Sequence, residues 1–311
     1  MRPALPSRRP LVLDGGLATQ LERQGEDLSS ALWSAAVLRS HPEAITQAHT
    51  AFFAAGAEVA TTATYQLTEL SLARSGLDVA EFLPLVRTAV HAARVAREDA
   101  GAGWVVGSVG PYGASLANGA EYTGDYGLGH GEAAVRALRE HHRPRLQALL
   151  EAGVDALACE TIPTMSEVEA LVDELRDMHL DLPVWVSLTP APGGRSTRTG
   201  EDLAQASSLV ADLPTAYAVG VNCCPPEDVP AALAALAPCD YGLRAIAYPN
   251  SGEVWDATAR TWTGQAAWDA DALQQWQALG ASAIGGCCRV FSEQIAAISA
   301  AMLRHAPRTT R

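Results

Sequence analysis

The chain has 311 residues, 48% of them hydrophobic and 18% charged, with a formal net charge of −13. So much apolar material and so little charge describe a folded chain with a sizeable core, one large α/β domain or two smaller ones. The acidic balance argues against nucleic acid and anionic membranes as partners, and no run reaches the roughly 18–20 apolar residues of a membrane span.

The N-terminal MRPALPSRRP is basic but lacks the apolar region of a signal peptide. A cytoplasmic location with reduced thiols is the expectation. All 22 basic residues are Arg. A Schiff-base aldolase, a pyridoxal-phosphate enzyme and a Walker-type P-loop would each lack their lysine.

In chain order, short β-like runs alternate with helical segments. LVLDGG (11–16) opens the series, followed by helical HPEAITQAHTAFFAAG (41–56). There Ile45, Ala48, Phe52 and Phe53 lie near helical spacing, and Gly56 is a natural stop. AEVATTATYQ (57–66) precedes a long amphipathic segment (78–101), and WVVGSVGPYG (104–113) precedes the Gly/Tyr-rich loop 114–132. The helical segment 132–153 contains Pro144, which is expected to kink or divide it. DALACET (155–161) leads to SEVEALVDELRDM (166–178), where Ser166 and Glu169 have capping-box spacing. PVWVSLTP (183–190) leads to a loop at 192–202. AYAVGVNCC (216–224), RAIAYPNSG (244–252) and ASAIGGCC (281–288) are the last β-like runs, with helical patterns at 226–237, 266–280 and 292–305.

Eight strand–helix repeats with nearly all-apolar strands point to a closed parallel (β/α)8 TIM barrel. A doubly wound sheet is the runner-up, but LDGGLATQLE lacks the GxGxxG fingerprint. With no interdomain linker visible, residues 1–311 are expected to form a single unit, its core at about 10–305.

Four of the six cysteines stand in two adjacent pairs, in GVNCC and GGCC. Neither pair is a CxxC. In a barrel, the C-terminal ends of all strands share one rim. The pairs would end strands 6 and 8, and three thiolates would converge on one ion. Zinc suits sulfur ligands in a tetrahedron, and a catalytic site leaves one position for an exogenous thiol. The bland alternative is buried, inert cysteines. Cys159, inside a strand, and Cys239, in a loop, are read as structural. The adjacent His141 and His142 point to different helix faces, which favours solvated or core roles over a metal site.

LDGGLATQLE, LWSAAVL, TTATYQ, the ET of ACETIP, GVNC, YPNSGE and IGGCCR occur in this order. Together they resemble the homocysteine S-methyltransferases, which use S-methylmethionine or S-adenosylmethionine and are related to betaine–homocysteine methyltransferase. The resemblance spans roughly residues 10–300. It implies a (β/α)8 barrel with one zinc ion per chain, held by Cys223, Cys287 and Cys288. Spacing alone does not choose between Cys223 and Cys224; the resemblance does.

It also implies that Asp14 and Glu160, at the ends of strands 1 and 4, hold the substrate ammonium. Their alternatives are a helix cap for Asp14 and an Arg ion pair for Glu160. Gly15 and Gly16 would let the backbone approach a ligand, or simply make a tight turn. Thr61, Thr62 and Asn222 are rim hydrogen-bonding groups or turn and capping residues. Backbone N–H groups of YPNSGE are candidates for the substrate carboxylate. Trp33 is a candidate face for a cationic sulfonium, or a packing residue. Tyr122 and Tyr126 are candidate lid residues.

The expected reaction is methyl transfer to the homocysteine thiol by SN2 displacement, with small molecules as the only partners and a monomer as the working unit. Its rivals are a zinc barrel that alkylates another thiol or selenol, and a zinc- or thiol-binding protein without turnover.

Overall fold

In a computed structural model of the chain, the described residues are 4–6, 9–28, 34–256, 261–264, 266 and 270–304. Eight parallel strands form one sheet: β1 (Leu11–Val12), β2 (Val59–Thr61), β3 (Trp104–Val109), β4 (Ala156–Ile162), β5 (Val184–Leu188), β6 (Ala216–Asn222), β7 (Arg244–Tyr248) and β8 (Ala281–Ile284). Their order is β1-β8-β7-β6-β5-β4-β3-β2, each strand beside its neighbour in sequence. The ring closes between β1 and β2, where Glu58 N donates to Val12 O at 2.8 Å and the Asp14 carboxylate accepts Thr61 N at 2.6 Å. The barrel expectation holds, and the doubly wound alternative falls.

Strand side chains alternate. Leu11, Leu13, Val106, Ala156, Ala158, Trp185, Ala218, Ile246 and Ala283 fill the barrel interior. The residues between them, such as Val12, Val105, Leu157 and Val186, pack outward against the helices. The first eight α-helices are α1 (Leu17–Arg23), α2 (Ser34–Ser40), α3 (Pro42–Ala54), α4 (Glu69–Arg74), α5 (Phe82–Ala100), α6 (Tyr112–Leu116), α7 (Glu132–Ala152) and α8 (Met165–Asp177). Ile45, Ala48 and Phe52 of α3 are buried, and each large side chain of this kind contributes about 1.5–3 kcal/mol by leaving water. Following the same alternation upward, Ser108, Glu160, Ser187, Asn222 and Tyr248 come next on the inward face. Period two therefore turns from apolar filler to a polar layer at the C-terminal rim.

One local expectation is narrowed and another corrected. α7 is not divided at Pro144 but continues through it. On either side of the proline, His142 and Arg145 are fully buried. His142 Nε2 lies 2.9 Å from Glu167 Oε1, and Arg145 donates to Tyr65 O at 2.7 Å and to Gly110 O. These anchors offset the roughly 3 kcal/mol that an interior proline costs. α8 is capped by Thr164, not Ser166: the Thr164 backbone is still extended, and its side chain accepts the Glu167 N–H at 3.3 Å. A cap needs that non-helical backbone. The pattern at Ser166 and Glu169 already lies inside the helix.

The segment between β7 and β8 holds an antiparallel hairpin, Val254–Asp256 with Thr261–Thr263, that the sequence reading missed. Its VWD and TWT alternation was the available signal.

Gly220 in β6 faces the β7 backbone, and a Cβ there would lie 1.8 Å from Ile246 O. Gly220→Ala is expected to destabilise the protein by more than about 3 kcal/mol. Urea unfolding followed by circular dichroism checks this.

Candidate metal centre

β6 delivers Cys223 to the rim, and its backbone there turns to φ 51°. Such a left-handed conformation costs a non-glycine residue about 1–2 kcal/mol. β8 delivers Cys287 and Cys288 through Gly285 and Gly286, and Arg289 follows at φ 64°. The segment after β7 ties the two turns together. Pro249 O accepts Cys287 N at 2.8 Å, and Asn250 Oδ1 accepts Cys288 N at 3.1 Å. Asn250 N donates to Cys224 O at 2.9 Å, and Ser251 N donates to Cys288 O at 3.0 Å. These N–H groups are therefore engaged within the chain. The expectation of a substrate carboxylate at YPNSGE is corrected for the Asn250 and Ser251 N–H groups, which brace the cysteine turns instead.

Cys223 Sγ lies 3.8 Å from Cys288 Sγ, and Cys287 Sγ 4.0 Å from Cys288 Sγ. All three sulfurs fall within 4.8 Å of one another, the single such His/Cys/Asp/Glu cluster among the described residues. A disulfide needs about 2.05 Å, so the thiols are free. Ligands on a tetrahedral zinc with bonds of about 2.3 Å stand about 3.8 Å apart. The thiol set thus fits a zinc-sized ion. Crowding also splits the thiol titrations. Hydrogen bonds from Cys223 and then Cys287 draw Cys288 well below the ordinary thiol range. Hydrogen bonding to Cys223 and Cys288, with burial behind them, pushes Cys287 well above it. Three thiolates this close need a cation to coexist.

The other cysteines stand apart. Cys224 is fully buried, and burial pushes its thiol up. Cys159 is buried in β4, its thiol pushed to about 12 by burial above all. Cys239 is exposed, in a 3-10 turn at Pro238–Tyr241. His142 is a core histidine, and His141 packs edge-on against Tyr112 with ring centroids 4.8 Å apart.

Two carboxylates flank the thiols. Asp14 accepts Thr61 N at 2.6 Å and Thr61 Oγ1 at 2.8 Å. Burial still raises its pKa to about 6 against those hydrogen bonds. Glu160 accepts the Ser108 hydroxyl. Burial raises it to about 7; the Ser108 bond opposes this, and the charge of Asp14 adds to it. Each carboxylate is therefore short of positive charge.

The next residue, Thr161, sits at φ 62°, a true outlier for a β-branched side chain. Asn222 holds it there, with Oδ1 accepting Thr161 N and Nδ2 donating to Thr161 Oγ1, both at 2.7 Å. The strained turn aims Glu160, and Asn222 braces it. Thr62 Oγ1 lies 2.8 Å from Thr64 Oγ1 and accepts Ser108 N at 3.1 Å. The glycines are explained by close packing. A Cβ at Gly16 would lie 2.4 Å from Cys287 O, and one at Gly15 2.5 Å from Val290 O.

Tyr122, on the 114–132 loop, holds its hydroxyl 3.2 Å from Cys223 Sγ. Burial first and Cys223 second push that hydroxyl up, so it stays protonated and can donate to sulfur. Tyr126 instead donates to Glu167 Oε2 at 2.5 Å. The 192–202 loop meets the site through Arg198, whose guanidinium lies 5.9 Å from the Tyr122 ring centroid. Trp33 lies outside the described residues. Ser108, Tyr248 and Asn250 were missed as site residues. For the first two, the inward alternation of their strands was the signal.

A family model described as homocysteine S-methyltransferase matches residues 11–302. A homocysteine S-methyltransferase of Escherichia coli (strain K12) is 44% identical, the match covering 96% of this chain and 97% of that protein. Homocysteine S-methyltransferase YbgG of Bacillus subtilis (strain 168) is 39% identical, with 93% of each chain covered. Among solved structures, the metallated form of the homocysteine methyltransferase MmuM from Escherichia coli superposes with a TM-score of 0.81. It is 42% identical, with 94% of this chain and 96% of that one covered. A methyltransferase from Methanosarcina mazei, 15% identical with a TM-score of 0.57, shares the fold.

Two outcomes follow from the site. Cys223→Ser, Cys287→Ser and Cys288→Ser are each expected to lower zinc retained after dialysis at least tenfold, while Cys224→Ser retains one zinc per chain. Atomic absorption checks this. For the metal-free protein, a carboxyl with a raised folded pKa lowers stability as pH rises from its ordinary value through the folded one. Glu160→Gln is therefore expected to add about 1–3 kcal/mol at pH 8, fading towards pH 5. Urea unfolding across that range reads it.

Proposed function

The chain belongs to the homocysteine S-methyltransferase family, and from that premise we propose that the three-cysteine site holds one zinc ion and that homocysteine is methylated beside it. The protein is a methyltransferase that converts homocysteine to methionine. The observation that carries the zinc reading is the convergence of three free thiols within 4.8 Å at the barrel rim.

Cys223, Cys287 and Cys288 would hold the ion. When bound, zinc lowers the pKa of an incoming thiol and so provides a thiolate near neutral pH. Asp14 and Glu160 receive the homocysteine ammonium; both are buried carboxylates whose raised pKa values a cation would relieve. Thr61 fixes the Asp14 carboxylate, and Asn222 fixes the turn that aims Glu160. Gly15 and Gly16 leave the β1 turn close to the Cys287 carbonyl, with no side chain between. Tyr122 donates to the Cys223 sulfur and restrains its excess charge.

The methyl donor is a sulfonium, S-methylmethionine or S-adenosylmethionine. The homocysteine sulfur attacks the methyl carbon in line, and the bonding pair leaves with the donor sulfur. A thiolate and a sulfonium become two neutral thioethers. Reactions that cancel charge gain from exclusion of water, and the partly buried rim, with Tyr122 of the 114–132 loop against Cys223, favours that. No helix among the described residues is long and apolar enough to cross a membrane. A reducing cytoplasm would keep the thiols free.

Zinc-loaded protein is expected to form methionine from homocysteine with at least one sulfonium donor and to lose the activity when the zinc is stripped. Bound zinc without methionine from any donor would move the assignment to another thiol. Asp14→Asn and Glu160→Gln are each expected to raise the KM for homocysteine about tenfold to a hundredfold, with bound zinc unchanged. Initial rates at varied homocysteine check this.

A further inference from the structure

One charged group on the rim has no part in the reading above. Glu121 lies in the 3-10 turn Ala120–Tyr122, on the long loop after β3. Its side chain is buried, the residue being 5% exposed. Its Oε2 has no hydrogen-bond partner among the described residues. The turn is packed tightly, for a Cβ at Gly113 would lie 2.4 Å from Glu121 N. The next residue is Tyr122, whose hydroxyl touches Cys223 Sγ at 3.2 Å. Burial raises the Glu121 pKa, its own backbone N–H opposes this, and the nearby Cys223 adds to it.

A buried carboxylate oxygen without a donor is costly, and folded chains rarely keep one without a use. This oxygen needs an N–H or O–H donor, and its surroundings favour a cation. The homocysteine ammonium is already allotted to Asp14 and Glu160. A sulfonium carries charge but no hydrogen to donate. The remaining N–H-bearing cation in the reaction is the α-ammonium of an amino-acid methyl donor.

We propose that Glu121 binds the α-ammonium group of an amino-acid sulfonium and so selects that class of methyl donor over donors without an amino group. The proposal rests on the methyl-transfer reading and adds the group that recognises the second substrate. Glu121 acts by pairing with the donor and takes no part in bond making.

The test titrates S-methylmethionine, and its amine-free analogue 3-(dimethylsulfonio)propanoate, into zinc-loaded full-length protein by calorimetry. Wild type is compared with Glu121→Gln and Glu121→Asp. Glu121→Gln is expected to weaken S-methylmethionine binding about tenfold to a hundredfold. Binding of the analogue, the KM for homocysteine and bound zinc should stay within about twofold. Glu121→Asp should restore part of the loss, which a merely structural role would not give. Unchanged S-methylmethionine binding in Glu121→Gln would overturn the proposal. So would an equal loss with both sulfoniums, which would mean that the carboxylate reads the sulfonium charge. Because binding is measured directly, absence of methionine formation by wild type would count against the reaction and not against this contact.

Discussion

Three thiols held within 4.8 Å of one another are the constraint around which the rim is arranged. They come from two turns about sixty residues apart in the chain. Neither turn can place its sulfur alone. Cys223 sits in a left-handed conformation, and the Cys287–Cys288 turn passes so close to the β1 turn that Gly16 has no room for a side chain. The strand between them supplies the brace. The carbonyls and N–H groups of 248–251 pair with the backbone of both cysteine turns, so β7 sets the spacing between β6 and β8.

The second constraint is electrostatic. Thiols, Asp14, Glu160 and Glu121 bring acidic groups to one rim, and burial holds all three carboxyls above their ordinary range. Such a site is poised for cations, because each cation that enters relieves a desolvated group. The proposed methyl transfer would bring several: the metal, an ammonium and a sulfonium. Backbone strain at Thr161 and Cys223 lies at the same rim. Local cost at the rim is compensated by the apolar interior and the helical shell below it.

Most of this was legible in the sequence. The eight apolar runs with polar ends gave the barrel, and two CC pairs after glycine gave the convergence of thiols. The choice of Cys223 over Cys224 was not legible from spacing. It depends on the left-handed turn at Cys223, which leaves Cys224 facing the core. The capping signal at Ser166 misled because Thr164, still extended as the chain leaves β4, takes the cap first. Pro144 does not divide α7, and the buried anchors at His142 and Arg145 that hold the helix together are tertiary. The Asn250 and Ser251 N–H groups were read as open to a ligand; only the fold reveals that the Cys224 and Cys288 carbonyls occupy them. Glu121 gave no periodic signal at all, since it stands on a loop.

The most direct measurement is the proton count when homocysteine binds. Calorimetry at pH 8 in two buffers of different ionisation enthalpy gives it, with zinc-loaded and zinc-stripped protein side by side. At that pH Asp14 and Glu160 are already largely ionised, so the released proton reports the thiol. A free thiol with a pKa of about 8.5 is about one-quarter ionised there, so activation releases about three-quarters of a proton per homocysteine. That release is expected from loaded protein and none from stripped protein. Binding to loaded protein without proton release, or the same release without zinc, would contradict it.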